Sequence, residues 1–82
     1  MRLKQRVSDN ATKQIGYYGQ MFMAPKSTTH VATDGDGQMY AYIGAPRYDN
    51  ELDVWMGNAV VGVIAVFDLQ GAAPWTTCRK VK

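Results

Sequence analysis

The chain is poor in the side chains that do covalent chemistry: one cysteine, one histidine and two serines. Cys78 alone can form neither an intrachain disulfide nor a cysteine-based zinc site. Any Ser–His or Cys–His pair would have to use His30, and none of Ser8, Ser27 and Cys78 sits in a nucleophile-elbow or cysteine-protease signature. Carboxylates do occur in groups, Asp34 with Asp36 and Asp49 with Glu51 and Asp53. They fall in turns or on a solvated strand face, where nothing enforces the burial or proximity that acid–base catalysis needs. The glycines at 35, 37, 57 and 62 fit neither GxxxxGK[ST] nor GxGxxG. The expectation is a protein that is not an enzyme and takes no cofactor.

Long hydrophobic runs are missing too. The longest, residues 59–67 (AVVGVIAVF), falls far short of the ~20 apolar residues that span a bilayer. The basic N-terminal stretch lacks the apolar centre of a signal peptide. With a single cysteine in a small domain, this favours a reducing, cytoplasmic setting without a membrane partner. There the sequon Asn10-Ala11-Thr12 has no role. No repeat of 20–50 residues appears, which excludes a solenoid. What is present is an ordinary globular composition, 46% hydrophobic and 20% charged, and 82 residues make one domain, 1–82.

Charge is segregated along the chain. Residues 1–26 hold Arg2, Lys4, Arg6, Lys13 and Lys26 against Asp9 alone. Residues 27–78 hold Arg47 against six carboxylates, and residues 79–82 add Arg79, Lys80 and Lys82. The net +2 therefore hides basic ends and an acidic middle. Such polarity steers and orients charged partners.

Strand signals dominate. Residues 2–7 alternate, with Arg2, Lys4 and Arg6 on one face, the pattern of a solvated edge strand. Residues 8–16 are polar, with room for one helical turn capped by Ser8 or Asp9. Residues 17–24 read as one strand stopped by Pro25. Residues 28–33 and 38–43 flank Asp34-Gly35-Asp36-Gly37, the clearest hairpin turn in the chain. Residues 44–50 read as a loop. Residues 51–67 admit a helix with Leu52, Trp55, Met56, Ala59, Val60, Val63, Ile64 and Phe67 on one stripe. Gly57, Gly62 and the β-branched run favour two strands instead, paired around Gly57-Asn58. The second, apolar on both faces, would be central and covered on both sides. Residues 75–81 would form a last strand antiparallel to it. The fold class expected is mainly β, or α+β: a small antiparallel sheet or barrel of six to seven short strands, with or without one short helix.

Asp34-Gly-Asp36-Gly-Gln38 resembles the start of a calcium loop, but Met39 and Ala45 stand where such a loop needs glycine and glutamate, so a turn is the better reading. Tyr40 and Tyr42 share one strand face, either a second core layer or an exposed tyrosine stripe. Trp55, placed by alternation on the face of Glu51 and Asp53, is either an interaction anchor or a core residue with a cover. The leading expectation is a domain that binds another protein through Tyr40, Tyr42, Tyr48, Asp49, Glu51, Asp53 and Trp55. It would act as a stand-alone inhibitor or adaptor, by analogy with small proteins of phages and mobile elements. A second reading is a nucleic-acid-binding barrel, with Arg2, Lys4, Arg6, Arg79, Lys80 and Lys82 on phosphates and Tyr17, Tyr18 or Trp75 stacking on bases. A third is a structural subunit that self-associates through an open edge strand.

Overall fold

The computed structural model describes residues 1–7 and 13–81. In chain order they form β1 (Arg2–Arg6), β2 (Lys13–Tyr17), β3 (Gln20–Ala24), β4 (His30–Thr33), β5 (Gln38–Ile43), β6 (Arg47–Asp49), β7 (Val54–Met56), β8 (Ala59–Asp68), a 3-10 turn (Pro74–Thr76) and β9 (Arg79–Lys80). The protein is mainly β. A five-stranded sheet runs β1-β8-β5-β4-β9, and two hairpins, β2–β3 and β6–β7, complete the fold. Every pairing is antiparallel. The sheet ends on β1 and β9 and does not close, so of the sheet or barrel expected it is the open sheet that forms.

The expected hairpin is present: His30 pairs with Tyr42 and Thr33 with Met39, around Asp34–Gly37. Its turn is also a junction. The Gly37 carbonyl accepts the Phe67 N–H at 2.7 Å, and the Gly35 N–H donates to the Asp53 carbonyl at 2.7 Å. Neither site tolerates a side chain. A Cβ on Gly37, where φ is +92°, would lie 2.1 Å from the Phe67 carbonyl oxygen, and one on Gly35 would lie 2.8 Å from the Asp53 Cβ. The glycines serve close backbone approach as well as turn geometry.

Several expectations are corrected. Residues 17–24 are not one strand: Tyr18 and Gly19, both at positive φ, turn the chain between β2 and β3. The helical turn expected over 8–16 lies partly outside the described residues, and its remainder, from Lys13, is strand. The loop expected over 44–50 contains β6. Residues 51–67 hold two strands, β7 and β8, and no helix, but these strands do not pair with each other around Gly57-Asn58. β7 pairs with β6, while β8 pairs with β5 and β1. The last strand is cut to two residues, because Pro74–Thr76 forms a 3-10 turn, and it pairs with β4 rather than with residues 59–67. Splitting the first run and adding β6 raises the strand count, among the described residues, above the six or seven expected.

β8 is central, as expected, but not fully covered. Its residues 59–66 face six on β5, and Val61 and Ile64 have no opposite residue. These bulges bend the strand and let Ile64 join Ala65 and Phe67 in the core, with Val61 packed against it. Val60 stays exposed.

The two hairpins contact opposite faces of the sheet. Paired residues share a face, so Val31, Thr33, Met39, Ala41, Ala65 and Phe67 form one side. Hairpin β2–β3 covers it with Ile15, Tyr17, Phe22 and Ala24, all buried. The Phe67 ring meets Tyr17 and Phe22 edge-on or tilted, each at 5.7 Å. Tyr17 Oη lies 2.7 Å from Thr33 Oγ1 and donates to the Thr77 carbonyl at 3.0 Å. On the reverse face His30, Ala32, Tyr40 and Tyr42 align. There the Tyr42 ring packs against Gly57 at the foot of β7, and its hydroxyl points to the Trp55 carbonyl at 3.4 Å.

Candidate functional site

The acidic segment is a hairpin. Tyr48 pairs with Trp55 and Asp49 with Val54, so the two aromatics share a side. Their rings meet edge-on at 5.3 Å. Glu51 to Asp53 form the turn, which overturns the alternation that put Trp55 on their strand face. Asp49 Oδ1 accepts the N–H groups of Glu51 and Leu52 at 2.9 and 3.1 Å, an Asx turn that fixes the tip. Asp53 holds φ +56°, a left-handed conformation that aspartate tolerates better than most residues. Its carboxylate accepts the Tyr48 hydroxyl at 2.7 Å. Burial and that carboxylate push the Tyr48 phenol up to about 12.

The main sheet holds this hairpin from below. Asp34, 6% exposed, directs Oδ1 at the Trp55 N–H, 2.8 Å away. Burial raises its pKa above the usual carboxylate value; the Trp55 hydrogen bond opposes the rise and nearby Asp36 adds to it. The Trp55 indole N–H donates to the Pro74 carbonyl at 3.1 Å. Trp55 is therefore half-buried between Tyr48 and the 3-10 turn, a positioned residue rather than a free anchor. Tyr42, at 1% exposure, is core, and Tyr40 is half-buried beside it with its hydroxyl on Gln38 Oε1. Neither forms an exposed stripe.

Glu51 and Asp53 face outward as the sequence suggests, but the exposed apolar groups differ from those it singles out. Trp75 is 57% exposed, and its ring centre lies 6.1 Å from that of Tyr48. Leu52, at the tip between Glu51 and Asp53, is 65% exposed. Beside them Arg47, Tyr48, Asp49, Glu51, Met56 and Asn58 edge an open hollow of about 660 Å³. The sequence casts Trp75 only as a base-stacking residue. The signal for Leu52 was legible, a large apolar residue inside an acidic turn.

The basic residues divide. Arg2, Lys4 and Arg6 lie on β1, and Arg79 and Lys80 on β9, at opposite edges of the sheet with three strands between them. Lys82 lies outside the described residues. Both edges reach hairpin β2–β3. The Arg6 guanidinium sits 4.6 Å above the Phe22 ring and donates to the Met21 carbonyl. That of Arg79 sits 5.1 Å above the Tyr18 ring. Between the flanks Met21 and Met23 stand on the outer side, 52% and 45% exposed.

His30 Nδ1 hydrogen-bonds Thr29 Oγ1 at 2.9 Å. Among the described residues no three histidine, cysteine or carboxylate side chains gather as a metal site would require, and no helix is long and apolar enough to cross a membrane. No protein-family model, curated protein or solved structure matches the chain.

Proposed function

We propose that the chain is a protein-binding domain, an inhibitor or adaptor that works by occupying a surface rather than by catalysis. The docking surface is the tip and aromatic side of hairpin β6–β7 together with Trp75. One observation carries this reading: Trp75 stands exposed beside the Tyr48 ring, and Leu52 stands exposed at the tip of the same hairpin, in a segment that carries Asp49, Glu51 and Asp53. Large apolar side chains grouped on a surface mark interaction sites, and tryptophan and tyrosine supply much of the energy at such sites. The carboxylate rim calls for a partner with an apolar centre and basic margin, and it speeds encounter. Trp55 and Tyr42 act from beneath, holding the hairpin in place. A reducing compartment such as the cytoplasm suits the unpaired Cys78 thiol.

The test is capture by the immobilised chain from cells that encode it, followed by titration with the purified candidate. Trp75→Ala and Leu52→Asp should each weaken binding by about tenfold or more, the loss expected of an anchor residue. A partner bound equally well by both variants would move the interface elsewhere.

A further inference from the structure

The partner chemistry just described is present on the chain itself. The outer side of hairpin β2–β3 carries Met21 and Met23 opposite Gly16 and Gln14. Gly16 has no side chain to fill the space near the Met21 sulfur, which would lie 3.9 Å from a Cβ there. The result is an open cleft of about 510 Å³ whose walls include Gly16, Tyr18, Met21, Arg79 and Lys80. Its floor is apolar and adaptable, since methionine repacks readily against different shapes. Its margin is cationic, and β1, β2, β3 and β9 contain no aspartate or glutamate.

We propose that a second copy of this chain docks here, with Leu52 of one copy seated in the cleft of the next and Glu51 and Asp53 against Arg79 and Lys80. The proposal rests on reading hairpin β6–β7 as a docking surface, and it names the partner. Shape and charge agree on both sides: an apolar knob between carboxylates meets an apolar floor bordered by Arg79 and Lys80. The knob is preorganised, because Asp49 Oδ1 fixes the tip amides and Tyr48 fixes Asp53, so little ordering cost falls on association. The two hairpins lie against opposite faces of the sheet, so knob and cleft cannot meet within one chain. The contact is head-to-tail, and it generates a ring or a filament rather than a two-fold dimer.

Sedimentation of the full chain tests this at about 10 mM and about 1 M salt, where the screening length falls from about 30 Å to about 3 Å. The wild type should exceed its 9.1 kDa chain mass at low salt and return to it at high salt. Leu52→Asp destroys the knob and Met21→Asp the cleft, and each should be monomeric alone. Mixed in equal amounts, they should form a one-to-one species that grows no further, because only one knob and one cleft remain. Should Met21→Asp fail to fold, Glu51→Lys and Arg79→Glu replace the pair: each alone weakens association, and both in one chain restore it. A wild type that stays monomeric at low salt overturns the proposal, as does a mixture that fails to pair. If that monomer still captures a basic protein through Leu52, the second copy is wrong and the docking surface stands. If Leu52→Asp changes no association of either kind, both are wrong.

Discussion

The carboxylate of Asp34 accepts the backbone N–H of Trp55 across 21 residues of chain, at 2.8 Å. This bond ties the acidic hairpin to the sheet. Replacing Asp34 with alanine removes a buried acceptor and should cost about 1–3 kcal/mol. Asparagine keeps the acceptor and should cost less. Denaturant titration of the two variants checks both values.

The same residue predicts a pH effect. Its folded-state pKa is raised, chiefly by burial, so the native state holds the proton more tightly than the unfolded chain does. Stability then falls as pH rises from the ordinary carboxylate value through the raised one, and recovers on acidification. Wild type should gain on Asp34→Asn as the pH drops through that window. A gain in the opposite direction would refute the assignment.

The two tryptophans should separate. Trp55→Ala loses ring packing on Tyr48 and the indole bond to Pro74, and should cost about 2–4 kcal/mol of stability. Trp75→Ala should cost under about 1 kcal/mol, as exposed substitutions do, while losing partner binding. Thermal melts beside a binding titration distinguish them.

Gly37→Ala should be far worse than Gly19→Ala. Both glycines have positive φ, but a Cβ on Gly19 meets nothing within 4 Å, whereas one on Gly37 meets the Phe67 carbonyl. Gly19→Ala should cost about 1–2 kcal/mol from backbone conformation alone. Gly37→Ala should leave the chain unfolded or several-fold more destabilised, as circular dichroism would report.

Tyr17 sets an alkaline limit. Burial pushes its phenol up to about 12, against the lowering effect of its bonds to Thr33 and Thr77. Between about 10 and 12 the native state therefore keeps a proton that the unfolded chain loses, and stability declines across that window. Tyr17→Phe should lessen the decline, to which Tyr42 and Tyr48, raised in the same direction, also contribute, and should cost about 1–2 kcal/mol at neutral pH. Phenolate absorbance recorded with unfolding follows both.

The 28–43 hairpin was legible because its information is local: two β-prone runs and a turn that demands glycine. Hairpin β2–β3 was not, because its turn begins with Tyr18 at φ +49°, where glycine or asparagine is usual. The tyrosine is braced by its neighbour Tyr17 at 4.8 Å and, from afar, by Arg79 above its ring. Segment 51–56 alternates like a strand, yet Asp53 turns left-handed there because its carbonyl and carboxylate are both engaged, by Gly35 and Tyr48. The acidic, aromatic character of the surface could be read in sequence. Which tryptophan faces outward could not, since it depends on the Pro74 carbonyl reaching Trp55 and not Trp75.

Strand β1 pairs Arg2 with Asp68, 66 positions later, and β4 receives its edge partner from Arg79 and Lys80. During synthesis the three hairpins can close as they emerge, each from neighbouring residues. The five-stranded sheet cannot, because β8, which joins β1 to β5, and the β9 edge are made late. Leu3 therefore waits for its strand partner Phe67, and Val31 for Arg79 on its open edge. Assembly dominated by such distant pairings runs in milliseconds to seconds rather than microseconds, and no half of the protein has a complete sheet to fold on.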